Sequence, residues 1–108
     1  MESMVMSENS ELFDRVIKRW GINLQFNLLA EECAELAVVA LHCQRTNDTR
    51  EHLLMRLASE IADVQIMIET ILYCLKDAEV DGVYFSDGVR SCQEAKLEKL
   101  KNRLEAKL

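Results

Sequence analysis

Two apolar stretches of this chain carry acids where a helix would turn inward. The first is Leu28 to Leu41, LLAEECAELAVVAL, and the second is Ser59 to Ile68, SEIADVQIMI. Each sets two carboxylates three residues apart, Glu32 with Glu35 and Glu60 with Asp63. A helix turns about 100° per residue. With Glu32 at zero, Glu35 falls at roughly −60°, Leu28 at roughly −40°, Leu36 at roughly +40° and Val39 at roughly −20°. Gln25 and Cys43 fall at about +20° by the same count. With Glu60 at zero, Asp63 lies at roughly −60°, Met67 at roughly −20°, Val64 at roughly +40°, and Leu53 and Ile71 at roughly +20°. Both acid pairs therefore share the stripe that a bundle buries. The opposite face of the second stretch, with Ala62, Gln65, Glu69 and Tyr73, is the wetter one.

Acid pairs at this spacing ordinarily face water and do nothing more. These sit among Leu, Val and Met. An ionised carboxylate that leaves water carries a large penalty unless it is paired, and four together repel one another. Protonation of some members relieves this, and so does a bound cation. Ligands that are all oxygen suit a hard cation, Mg²⁺ or Mn²⁺. Glu32, Glu35, Glu60 and Asp63 are accordingly read as metal ligands.

The remainder reads as scaffold. A chain of 108 residues makes one domain with one core, and a hydrophobic content of 49% excludes disorder. There is no Pro, and the three Gly stand at 21, 82 and 88. So few breakers, with so much Leu, Ala, Glu and Lys, predict an all-α fold. The net charge of −6 argues against nucleic acid and anionic membranes as partners. Cys33, Cys43, Cys74 and Cys92 form no CxxC pair, and His42 and His52 are isolated, which excludes a zinc site. Cys33, Cys43 and Cys74 are expected to pack as small core residues in a reducing compartment. Neither a signal peptide nor a membrane-spanning run is present, so the expectation is a soluble cytoplasmic protein.

In chain order, residues 1–9 read as a frayed leader and 10–108 as a single all-α domain. Ser10 is the expected N-cap of a helix that runs to Trp20, with Leu12, Val16, Ile17 and Trp20 as its stripe. Gly21 ends it. Trp20 reads as a packing residue at the corner; stacking on a nucleobase is its other role. Helix two runs from about Asn23 to Gln44 and is apolar nearly all round, which predicts a central helix partly covered by an oligomer partner. Arg45 to Thr49 is a polar break, with Asp48 and Glu51 as a loose capping box. Helix three runs from about Thr49 to Lys76. The two long helices make an antiparallel hairpin, the centre of a four-helix bundle-like protomer. Glu35 and Glu60 stand at similar distances from the break, so such a hairpin sets both acid pairs at one height.

Asp77 to Gly88 reads as a loop, with VYF as a short extended piece and Asp81-Gly82 and Asp87-Gly88 as turns. Helix four runs from about Val89 to Leu108 on a stripe of Val89, Leu97, Leu100, Leu104 and Leu108. Lys96, Lys99 and Arg103 flank that stripe on one side. They are either a solvated basic edge or contacts for phosphate.

Carboxylates around Mg²⁺ suit phosphate-ester or phosphoanhydride chemistry, in which a spare carboxylate takes the proton. Glu31 is the candidate for that role. No P-loop and no Ser/His/Asp arrangement can be picked out. A di-iron bundle is excluded because neither His has Glu three residues before it.

The order WGINLQ, EECAEL, EIADVQIM, KLEKLKNRL resembles the MazG-like all-α nucleoside triphosphate pyrophosphohydrolases over about residues 12 to 106. Their hallmark is ExxE followed at a distance by ExxD, here Glu32-Cys-Ala-Glu35 and Glu60-Ile-Ala-Asp63. The resemblance implies Mg²⁺-dependent cleavage of an NTP or dNTP to the monophosphate and pyrophosphate. It implies Glu32, Glu35, Glu60 and Asp63 as ligands, and a homodimer or homotetramer with the site in or near the interface. Gln25 matches a Gln seen before EExxEL in shorter, phage-like members and is expected to contact the nucleotide, and Lys99 and Arg103 match the basic pair of the last helix. Leu97 stands where the family often has Asn. Phosphoribosyl-ATP pyrophosphohydrolases and dimeric dUTPases share the acidic logic, so phosphoribosyl-ATP and dUTP are alternative substrates. A noncatalytic helical interaction module, with its acids facing water or a basic partner, is the competing class.

Overall fold

The computed structural model describes residues 2–46 and 51–106. It is all-α apart from one two-stranded hairpin. The helices are α1 (Glu2–Trp20), α2 (Ile22–Thr46), α3 (Glu51–Cys74) and α4 (Phe85–Glu105), with β1 (Glu79–Val80) and β2 (Val83–Tyr84) between the last two. The chain divides into two compact units, Met1–Cys74 and Leu75–Leu108. Among the described residues, no helix is long and apolar enough to cross a membrane.

In the first unit, α2 and α3 make the most extensive helix pairing. Each presents one seam with alternating spacings of four and three. On α2 the seam is Gln25, Leu29, Glu32, Leu36, Val39 and Cys43, with Gln25 and Val39 buried and the rest half-buried. On α3 it is Leu53, Leu57, Glu60, Val64, Met67, Ile71 and Cys74, with Leu53, Val64 and Ile71 buried. This is the period at which two helices keep one face toward each other over many turns. Thr70 is also buried on α3, and its hydroxyl donates to the Ile66 carbonyl at 2.8 Å, which meets its own polar demand.

The first helix departs from expectation. It begins at Glu2, so residues 2–9 are helical and Ser10 lies inside the helix rather than at its cap. Its buried residue is Phe13, 4% exposed, while Leu12 and Trp20 of the expected stripe are each 56% exposed. Phe13 meets the ring of Tyr73 at 6.0 Å between centroids. The Tyr73 hydroxyl donates to Asp14 Oδ1 at 3.2 Å, and Lys18 Nζ pairs with Asp14 Oδ2 at 2.9 Å. Tyr73, expected on the wetter face of helix three, is instead where α1 docks. The chain turns after α1 at Gly21, whose φ of 84° is cheap only for glycine, and whose N–H donates to the Ile17 carbonyl at 2.8 Å.

In the second unit, Asp81 (φ 54°) and Gly82 (φ 79°) join β1 to β2, with Val80 paired to Val83. Two consecutive positive φ values are what a two-residue hairpin turn requires. Asp87-Gly88 is not a turn: both residues lie in the first turn of α4, which starts at Phe85 rather than Val89. Asp87 there complements the helix dipole. No described residue of α4 is buried, and Leu97, Leu100 and Leu104 are exposed. Asp48 and Leu108 lie outside the described residues, so the loose capping box and the end of the last stripe have no structural counterpart. Cys33 is exposed rather than packed, Cys43 and Cys74 are half-buried, and no disulfide joins any of the four cysteines.

The docking of α1 can be tested by urea unfolding. Phe13→Ala should cost about 3–5 kcal/mol, as expected for truncating a buried ring. Tyr73→Phe, which removes only the hydrogen bond to Asp14, should cost about 0.5–1.5 kcal/mol. Equal losses in the two variants would mean that the ring contact is not what holds α1.

Candidate metal centre

The two seams bring acids from α2 and α3 together. One carboxylate oxygen each from Glu32, Glu60 and Asp63 lies within 4.8 Å of the others. Glu32 and Glu60 occupy seam positions, seven residues from Val39 and from Leu53 and Met67 respectively, so the packing that buries those side chains carries the carboxylates inward too. Asp63 stands one residue before buried Val64 and reaches the same spot from the edge of the α3 seam.

Two oxygens set this cluster apart from a solvated acidic face. Glu32 Oε1 and Glu60 Oε1 are closed off from solvent and have no hydrogen-bond partner. A buried acceptor without a donor costs free energy that a carboxylate at the surface does not. The cause is visible in the surroundings: the neighbouring seam positions offer Leu, Val and Met, and the nearest polar groups are other carboxylates.

The electrostatics agree. Burial pushes the Glu32 carboxyl above its ordinary value of 4.5, and repulsion from Glu35, Asp63 and Glu60 pushes in the same direction. A hydrogen bond with Glu35, which only the protonated Glu32 carboxyl can donate, adds to the rise. Glu35 itself is exposed. It was expected on the inward face, but the packing of α2 on α3 brings in Asp63, which has the same offset of roughly 60° on its own helix, and leaves Glu35 out. It acts on the cluster through Glu32 and is not among the three converging carboxylates. Glu31 is exposed on α2.

Gln25 lies one heptad before Glu32 on the same seam and is 2% exposed. Its Nε2 donates to the Gly21 carbonyl at 3.4 Å, which ties its amide to the corner between α1 and α2. Lys96, Lys99 and Arg103 are exposed on α4 in the second unit. That unit carries an apolar cleft of about 680 Å³ lined by Val80, Val83, Tyr84, Phe85 and Val89, and Lys96 contributes to its wall. No converging carboxylate lines this cleft.

The donor set fits a hard divalent cation. It is all oxygen, it is anionic, and two of its oxygens lack any donor from the protein. Compared with known proteins, the chain matches no family model, no curated protein and no solved structure.

Because the Glu32 pKa is raised in the folded state, the folded state holds that proton more tightly than the unfolded chain does. This favours folding at acid pH, and the benefit is lost as pH rises from 4.5 through the folded value. In EDTA, the melting temperature should therefore fall over that window. Glu32→Gln should flatten the slope and melt higher than wild type at neutral pH. Parallel pH profiles for the two proteins would show that Glu32 is not the strained member.

Proposed function

We propose that this protein is a Mg²⁺-dependent nucleoside triphosphate pyrophosphohydrolase that converts an NTP or dNTP to the monophosphate and pyrophosphate. The observation that carries the proposal is the convergence of Glu32, Glu60 and Asp63 with two buried, unpartnered carboxylate oxygens. An interaction module has no use for such oxygens, because carboxylates that meet a basic partner must be reachable. The order of acids, Glu-x-x-Glu and then Glu-x-x-Asp, is the second support.

In this reading Glu32, Glu60 and Asp63 hold Mg²⁺, or Mn²⁺, with Glu35 as the fourth ligand. When bound, the ion supplies charge neutralisation for phosphate oxygens and a more acidic water. Water adds across a phosphoanhydride bond, and its proton goes to a carboxylate that is free of the ion. Glu31, the candidate for that role in the sequence, is exposed on the side of α2 away from the seam and is given no part in it. Lys96, Lys99 and Arg103, exposed on α4, are candidates for phosphate contacts, and Gln25 shapes the nucleotide end of the seam. The fold is completed as a four-helix bundle-like protomer, with α2 and α3 as its antiparallel centre, in a cytoplasmic homodimer or homotetramer. dUTP and phosphoribosyl-ATP remain within the substrate class.

Two measurements test this. Pyrophosphate release from a panel of NTPs and dNTPs should require Mg²⁺ and vanish in EDTA, and Glu35→Gln should lower turnover at least tenfold without unfolding the protein. Mg²⁺ should also raise the melting temperature by mass action, because it binds only the folded chain. Glu60→Gln should remove most of that rise. A folded protein that releases no pyrophosphate from any nucleotide and gains no stability from Mg²⁺ would return the acids to the interaction-module reading.

A further inference from the structure

One flank of α1, centred about 90° round the helix from Phe13, is built unlike the rest of this acidic chain. Leu12, Arg15, Val16, Arg19 and Trp20 follow the spacing i, i+3, i+4, i+7, i+8, which is one continuous stripe on a helix. They line a concavity of about 490 Å³. Leu12 and Trp20 are each 56% exposed, and Arg15 and Arg19 are exposed as well. The Arg19 guanidinium lies 5.7 Å from the Trp20 ring centroid, so the cation and the aromatic form one surface. Aromatic and Arg side chains together are the composition of energetic centres in protein interfaces, not of ordinary surface.

The same unit carries a surface of complementary character. On the side of α2 away from its seam, Leu24, Asn27, Glu31, Ala34, Val38 and Leu41 follow alternating spacings of three and four, and all are exposed. This stripe is apolar at both ends and carries one acid, Glu31, in its middle. Leu24, Val38 and Leu41 are 37%, 60% and 53% exposed. A basic apolar stripe and an acidic apolar stripe on one chain can satisfy each other in a two-fold pair, in which each contact is made twice.

We propose that the Arg15–Arg19–Trp20 face of α1 docks on the Glu31 stripe of α2 from a second copy of this chain. The inference rests on the homo-oligomer included in the proposed function and gives that oligomer a specific interface. Charge complementarity selects α2 of a second copy over a like-with-like contact between two α1 faces, which would set Arg against Arg.

The test uses the full chain and reads mass by light scattering alongside the emission of Trp20, the sole tryptophan. Wild type should run as a dimer or a multiple of it, with a blue-shifted Trp20 that moves red on dilution. Arg15→Glu with Arg19→Glu should weaken association roughly tenfold or more. Glu31→Arg should weaken it as well, and Arg19→Glu combined with Glu31→Arg should recover it. A mass and emission indifferent to these reversals, or a wild-type monomer, would overturn the interface. So would a Trp20 that shifts only on adding a different acidic protein. Pyrophosphate release with Mg²⁺ is measured separately on wild type. Release without charge-dependent assembly would defeat the interface alone, and charge-swap recovery without release would defeat the activity alone.

Discussion

Two carboxylate oxygens buried without a donor are the constraint around which the first unit is arranged. Glu32 Oε1 and Glu60 Oε1 occupy positions that the period of their helices reserves for Leu or Val. A chain selected only for stability would fill those positions with apolar groups, because each orphaned acceptor lowers the stability of the folded state. The rest of the seam offsets that cost. Val39 and Leu53, each seven residues from one of the two acids, are almost fully buried, at 1% and 4% exposed.

That arrangement explains how a small helical protein can concentrate charge. The carboxylates of Glu32 and Glu60 are placed by the spacing of their neighbours on the two seams. Glu35 shows the contrast. One residue off the seam, it stays at the rim, and its influence passes through the Glu32 carboxyl whose proton it accepts. The cluster thus combines two acids fixed on the seams, Glu32 and Glu60, with Asp63 and Glu35 at its edges.

The sequence was most legible where period and chemistry coincided. The inward placement of Glu32 and Glu60 followed from counting roughly 100° per residue against Val39, Leu53 and Ile71, and the structure buries those three. The stop at Gly21 and the Asp81-Gly82 turn were equally readable, because positive φ has few residues to choose from. The reading failed where several faces were apolar at once. On α1, the expected stripe of Leu12, Val16, Ile17 and Trp20 left out Phe13, which the structure buries beside Tyr73 of α3. Asp87-Gly88 carried a turn signal that lost to its place at the dipole-favoured first turn of α4.

By itself, the sequence determined the all-α character of the chain, the break at Gly21 and the inward placement of Glu32 and Glu60. Those are local properties, set by period, propensity and the residue types that permit a turn. Tertiary structure decided which acids meet. Glu32 joins Glu60 and Asp63 across two helices, while Glu35, equal to them in the sequence, remains outside. It also decided that Phe13 rather than Trp20 anchors α1, and so left Trp20 and its neighbouring arginines facing outward. The reason is the same in both cases. A helix with more than one apolar face does not choose its partner alone; the shape of the neighbouring helix makes that choice.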